Sequence, residues 1–295
     1  MRDWDEALWA FDNYLREAGF SRSTRAGYVG DVRGFAQWLH RRPGILPTPA
    51  DFSSADLEAH KQHLAHELRR PPATVNRNLQ SLRKFSRFLK EAGLRSGDPT
   101  SGVPLAQRPV AAAPHPLSDD EVAGLLKAAA RRCSPTARRD QAIIHLLLHT
   151  GLRAGELTRL RLADLQMGPQ GVGLAVRGAN PRTVPLPAAA YEALAAYLGQ
   201  RPPAAAEGLL LGRDGKPLAE RSLQRVVADV GQAAGLDLCP RRLRATFAQR
   251  LWQSSGDVAL LAHRLGHRRL EPVLRYICCP APCTTGAFPE PGGGR

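Results

Sequence analysis

The chain is poor in lysine, in aromatics and in sulfur. Only five lysines (Lys61, Lys84, Lys90, Lys127 and Lys216) stand among 41 basic residues, and Phe, Trp and Tyr together make up 6%. Five cysteines (Cys133, Cys239, Cys278, Cys279 and Cys283) are odd in number and scattered, which excludes a secreted disulfide framework. Cys278, Cys279 and Cys283 lie close together, but no fourth ligand of suitable spacing is near, so no metal site is expected. No apolar run approaches the roughly 18 residues of a membrane span. Met1-Arg2-Asp3-Trp4-Asp5-Glu6 is acidic and already amphipathic, unlike a signal peptide. No fixed-period repeat is present. These absences together predict a cytoplasmic protein without a membrane partner.

What is abundant is positive charge, almost all of it arginine. The balance of 41 basic against 27 acidic residues gives a net charge of +14 and a pI near 10.4. Such a surplus points to a polyanion, and nucleic acid is the default. Arginine suits bidentate contacts to phosphate, although a GC-rich genome gives the same bias. Hydrophobic content of 43% and charged content of 23% are ordinary for a globular protein, and 295 residues allow two modest domains.

The first hundred residues read as four amphipathic helices in a compact bundle. Leu8, Phe11 and Leu15 mark the first stripe; Tyr28, Val32, Phe35 and Leu39 mark the second, entered through the N-cap candidates at Ser21–Thr24. After a proline-rich break at 43–49, Ser53 or Ser54 caps a third helix carrying Leu57 and Leu64. Pro71-Pro72 opens a fourth with Leu79, Leu82, Phe85 and Leu89 inward. On its other side Arg77, Arg83, Lys84 and Arg87 form either a phosphate-facing stripe or a solvated face.

Residues 106–116 carry little periodicity and read as a linker. Ser118 and Glu121 then fit a capping box. The apolar stretch Ile143–Leu148 predicts a core helix ended by Thr150-Gly151, and 156–165 reads as a further helix. Val172, Leu174 and Val176 alternate and are answered by 183–186, a small β-hairpin around a turn at 178–181. Helices resume near 188–198, 222–234, 243–253 and 258–265. Residues 278–295, rich in Pro, Gly and Cys, predict disorder.

Four residues in this second half form a chemical constellation. Arg153 lies in Thr150-Gly151-Leu152-Arg153-Ala154-Gly155-Glu156-Leu157, Arg244 in Pro240-Arg241-Arg242-Leu243-Arg244, and His267 in Leu265-Gly266-His267. Tyr276 follows nine residues after that histidine. Two arginines neutralise a phosphorane, a histidine hydrogen-bonds a phosphate oxygen, and a tyrosine hydroxyl attacks phosphorus. Glu156, one helical turn beyond Arg153, is placed to orient it.

With these motifs in this order, residues 4–276 resemble a tyrosine recombinase of the phage-integrase/Xer class. The N-terminal half resembles its helical core-binding domain in Ser23-Thr24-Arg25-Ala26-Gly27-Tyr28 and Asn78-Leu79-Gln80-Ser81-Leu82-Arg83-Lys84-Phe85. The resemblance implies a mainly α fold with a small antiparallel β-sheet, arranged as a two-domain DNA clamp. It assigns residues 1–105 to a SAM-like core-binding domain and 106–116 to the linker. Residues 117–277 become the catalytic domain and 278–295 the tail. It further implies a nucleoid-associated enzyme acting on double-stranded DNA as a homo- or hetero-tetramer on two sites, through a 3′-phosphotyrosine and without any cofactor or metal. Arg153, Arg244, His267 and Tyr276 take the catalytic places. Arg25, Arg77, Lys84, Arg87, Arg177 and Arg182 are DNA-contact candidates.

The departures from that pattern are specific. Register from Pro185 sets Asn180 where a catalytic lysine is expected, and Arg241 where a histidine is expected. Asparagine cannot protonate a leaving group, and arginine is a poor proton donor. The tail replaces an expected helix and reads as a frameshifted or decayed end. A catalytically weakened DNA-binding relative, or a decayed mobile-element integrase, is therefore the alternative. A type IB topoisomerase shares the chemistry but not the resemblance of the N-terminal half.

Overall fold

The computed structural model describes residues 3–42, 48–107, 115–168, 171–178, 180–201, 207–267, 269–270, 273–274 and 276. The chain forms two compact units, 1–111 and 112–295. The proline-rich stretch at 43–47, most of the expected linker, Pro272 and the whole tail fall outside the described residues.

Unit 1 holds α1 (Trp4–Glu17), α2 (Arg22–His40), α3 (Ser54–Gln62) and α4 (Pro72–Glu91). Local chemistry sets their starts. Ser21 accepts the backbone N–H of Thr24, Ser53 and Asp56 close a reciprocal capping box, and Pro72 opens α4 where its missing N–H costs nothing. One feature escapes the periodicity: α3 runs on into a π-helical turn over His63–Glu67. The stripes converge on an aromatic core in which Phe11 meets Phe85 edge to face at 5.2 Å, and Phe35 meets Phe52 likewise at 5.4 Å. His60 is buried beside Phe35 and Trp38.

Unit 2 begins with α5 (Asp119–Ala130), capped reciprocally by Ser118 and Glu121. Then comes α6 (Ala137–Thr150), which is apolar on most sides because α5, α8, α9 and α10 all pack on it. It ends at Gly151, whose φ of 63° is left-handed. A single turn, α7 (Ala154–Leu157), follows. Strands β1 (Leu165–Gly168), β2 (Gly171–Val176) and β3 (Arg182–Pro185) form an antiparallel sheet in that order, with Leu174 opposite both Leu165 and Val184. Helices α8 (Ala188–Leu198), α9 (Glu220–Ala233), α10 (Pro240–Ser255) and α11 (Val258–Leu265) complete the unit. The fold is therefore mainly helical with one small antiparallel sheet.

Two expectations change. The helix over 156–165 is absent: after α7 the chain makes a short 3-10 turn at Leu162–Asp164 and enters β1. Pairing at long range wins there, since Leu162 donates to the Glu207 carbonyl and Leu209 to the Leu160 carbonyl. The hairpin accordingly gains a third strand. No helix among the described residues is long and apolar enough to cross a membrane.

Candidate active site

Four separated segments of unit 2 carry the predicted catalytic residues, and all four reach one cleft of about 690 Å³. Arg153 follows the left-handed turn after α6 and stands at the N-cap of α7, 44% exposed at its side chain. Arg244 comes from the second turn of α10 and is buried. His267 follows the C-cap of α11. Tyr276 packs its ring against the small cluster of Leu261, Leu265 and Val273, at 6.5 Å from the His267 ring in an edge-on arrangement. Arg241 also lines the cleft and is exposed.

The cations are organised by one carboxylate. Glu156 Oε2 accepts the Arg153 backbone N–H at 2.8 Å, and Oε1 accepts the Arg153 guanidinium at 3.0 Å. Arg182 grips both oxygens at 3.0 Å, and Arg244 lies 3.8 Å from Oε2. Burial pushes the Glu156 carboxyl upward, but the Arg182 hydrogen bonds, the Arg153 N–H and the charges of both arginines overcome it, holding Glu156 at about 2. Arg244 donates Nη1 to the Gly151 carbonyl at 2.6 Å and Nη2 to the Leu265 carbonyl at 2.7 Å, while Nη2 also meets His267 Nε2 at 3.0 Å. Burial and the neighbouring Arg153 lower Arg244 to about 10, so it stays charged at neutral pH. Burial, with Arg244, Arg153 and Arg182, lowers His267 to about 4, so the imidazole is neutral.

Backbone constraints hold these groups close. A Cβ at Gly151 would overlap the Phe247 ring, and one at Gly266 would lie 2.5 Å from Arg182 Nη1. Both glycines are left-handed helix ends, with φ of 63° and 64°.

Other predicted positions are engaged within the protein. Arg182 is buried within unit 2. Its side chain is 2% exposed and bound to Glu156 and to the Arg264 carbonyl at 2.9 Å. The strand accounts for the burial: β3 turns Arg182 inward, with Val184 on the same face. Asn180 donates to the Gly266 carbonyl at 2.8 Å. Arg177 is exposed and paired with buried Asp164 at 2.6 Å. In unit 1, Arg25 pairs with Asp12 at 3.0 Å, Arg77 with Asp31 at 2.7 Å and Arg87 with Glu91 at 2.8 Å, while Lys84 Nζ sits 5.1 Å above the Phe20 ring. Residues that sequence reasoning did not single out also line the cleft, namely Glu220, Gln224 and Cys239; no pattern in the sequence marks them.

No cluster of three or more metal-ligating side chains exists among the described residues. Neither Lys127 nor Lys216 lines the cleft.

The comparisons with known proteins agree with this architecture. Residues 116–279 match the phage integrase family, and 8–93 match the phage integrase N-terminal SAM-like domain. The tyrosine recombinase XerC of Mycobacterium sp. (strain KMS) is 33% identical over 288 residues, covering 92% of this chain and 93% of its own. The tyrosine recombinase XerD of Chlorobaculum tepidum is 30% identical over 277 residues, covering 90% and 88%. Among solved structures, the XerH site-specific recombinase in its pre-cleavage complex with difH superposes with a TM-score of 0.72 at 16% identity, covering 93% and 82%. The chain belongs to the phage integrase family and is Xer-like. Its activity is that of the class, site-specific DNA strand exchange by a tyrosine recombinase.

Proposed function

We propose that the cleft of unit 2 is where a DNA strand is cut and rejoined. The observation that carries this is the convergence of Arg153 before α7, Arg244 on α10, and His267 and Tyr276 after α11 on one cleft. Two fixed cations face a neutral imidazole and a phenol, an arrangement suited to a phosphodiester and to the charge that grows on its oxygens during attack. The Tyr276 oxygen forms a bond to phosphorus and the bond to the 5′-oxygen breaks. The phenol loses a proton, the departing oxygen takes one up, and a 3′-phosphotyrosine remains. Attack by the 5′-hydroxyl of another strand reverses the step, so bond energy is kept and no nucleotide is spent.

The substrate is double-stranded DNA, and strand exchange requires four protomers on two sites. The solved relatives include the XerH recombinase bound to difH and a lambda integrase tetramer bound to a Holliday junction, which supports both statements. The site of action is the nucleoid in the cytoplasm. The alternative of a DNA-binding protein without cleavage rests on Asn180, Arg241 and the tail; the relatives named above are recombinases, so this reading has no support from them.

The test is covalent trapping. The full chain is incubated with a randomised pool of nicked suicide duplexes, and adducts are collected and sequenced. An adduct that disappears in Tyr276→Phe establishes the nucleophile and supplies the target site. DNA retardation without any adduct would overturn the proposal in favour of binding alone.

A further inference from the structure

The C-terminal end of α11 is held in an unusual way. A helix leaves its last carbonyls without partners inside the helix. Here three successive ones are taken by side chains from other elements. Arg182 on β3 donates to the Arg264 carbonyl at 2.9 Å, Arg244 on α10 to the Leu265 carbonyl at 2.7 Å, and Asn180 to the Gly266 carbonyl at 2.8 Å. The next residue is His267. Its ring position is thus fixed by the donors on the three carbonyls before it.

Arg182 does more than cap. Its fork spans both Glu156 oxygens at 3.0 Å each while Nε holds the Arg264 carbonyl. Its side chain is 2% exposed, and its Nη1 packs so close to Gly266 that no side chain fits there. One planar group therefore joins the carboxylate that orients Arg153 to the helix end that orients His267. Lysine, a single point charge, cannot make these contacts together. The guanidinium also balances the Glu156 charge, which otherwise would draw Arg153 and Arg244 away from an incoming phosphate.

We propose that Arg182 is a positioning residue for strand cleavage, acting through Glu156 and the Arg264–Gly266 backbone to set Arg153 and His267, and that it does not contact DNA. The inference rests on the recombinase reading of the same cleft.

The test compares full-length wild type, Arg182→Gln and Arg182→Lys. Three quantities are read: adduct yield with the pool of nicked suicide duplexes, affinity for a random-sequence duplex, and the titration of His267 by NMR of histidine-labelled protein. Misplacing reacting groups by about an ångström costs on the order of 10²-fold in rate. Arg182→Gln is expected to lose about that much cleavage with duplex affinity within about twofold of wild type. Its His267 titration should shift upward, because a cation that depresses it is gone. Arg182→Lys should recover part of the cleavage and most of the His267 titration. Wild-type cleavage in a folded Arg182→Gln overturns the proposal. So does a loss of duplex affinity equal to the loss of cleavage, which would make Arg182 a DNA contact. If Arg182→Gln does not fold, Arg182→Lys decides: a wild-type melting temperature with full cleavage overturns the proposal, and a loss of about tenfold or more upholds it. Absence of any wild-type adduct would count against the recombinase reading, and the His267 shift would still report on Arg182.

Discussion

Arg244 Nη2 meets His267 Nε2 at 3.0 Å. Arginine has only donors, so Nε2 of the imidazole accepts and the ring proton resides on Nδ1. The tautomer of the histidine is thereby set by the arginine that shares its cleft.

That relationship gives the first prediction. With His267 lowered to about 4, NMR at pH 7 should show a neutral ring protonated on Nδ1. Millimolar inorganic phosphate in the cleft would offset the charges of Arg244 and Arg153, so the titration should move upward. A ring protonated on Nε2 at pH 7, or a titration insensitive to phosphate, would contradict the geometry.

A second prediction concerns Gly151. Alanine there would take a left-handed φ of 63° and overlap the Phe247 ring. The Gly151 carbonyl that receives Arg244 Nη1 would shift as well. Strain and overpacking together should cost about 2–5 kcal/mol. Urea unfolding of Gly151→Ala against wild type measures it, and a change below about 1 kcal/mol would show that Phe247 can swing away.

The third prediction concerns the proton taken up by the departing oxygen. Asn180 is bound to the Gly266 carbonyl and cannot protonate a leaving oxygen. A positioned general acid contributes about 10²–10⁴-fold. A substrate with sulfur in place of the bridging 5′-oxygen needs no proton on departure, so wild-type protein should cleave it on the order of 10²-fold faster than ordinary DNA. Equal rates would mean that another group in the cleft already acts as the acid.

Stability should fall on acidification, and the signs are explicit. His60 is buried and lowered to about 4, by burial first and by His63 next, and His267 is lowered to a similar value. In both cases the unfolded chain binds a proton more readily than the folded one. Their contributions are therefore present above about 6.5 and are lost as pH falls toward 4. Glu156, held at about 2, adds a further loss below about 4.5. At about 1.4 kcal/mol per unit, His60 alone accounts for on the order of 3 kcal/mol. Melting curves between pH 7.5 and 4 should show the decline, and His60→Phe should flatten it. A flat wild-type profile would refute the assignment.

Much of this was legible in the sequence where the determinants are local. Ser118 with Glu121, Pro72, Gly151 and the apolar Ile143–Leu148 stretch each act within a few residues, so caps, ends and the core helix could be read directly. The candidate quartet of Arg153, Arg244, His267 and Tyr276 was legible as an ordered set, and the structure brings its members to one cleft. What failed depends on distant partners. Leu157 and Leu160 have helical spacing, yet the pairing of Leu160 with Leu209 and of Leu162 with Glu207 breaks the helix. Arg177 and Arg182 look alike in sequence. One is exposed and the other buried, because β3 turns Arg182 inward, where Glu156 supplies the charge that makes burial tolerable.

The paired arginines of unit 1 bear on how the protein responds to salt. Affinity for a duplex usually steepens with each phosphate neutralised, because each such contact frees a small ion to the bulk. Arg25, Arg77 and Arg87 already carry Asp12, Asp31 and Glu91 as internal counterions. An arginine that keeps its carboxylate partner brings no net charge to a phosphate, and so frees little of the cation atmosphere of the duplex. The logarithmic salt slope of binding should therefore be shallower than a surplus of +14 suggests, and replacing Asp31 with Asn should steepen it.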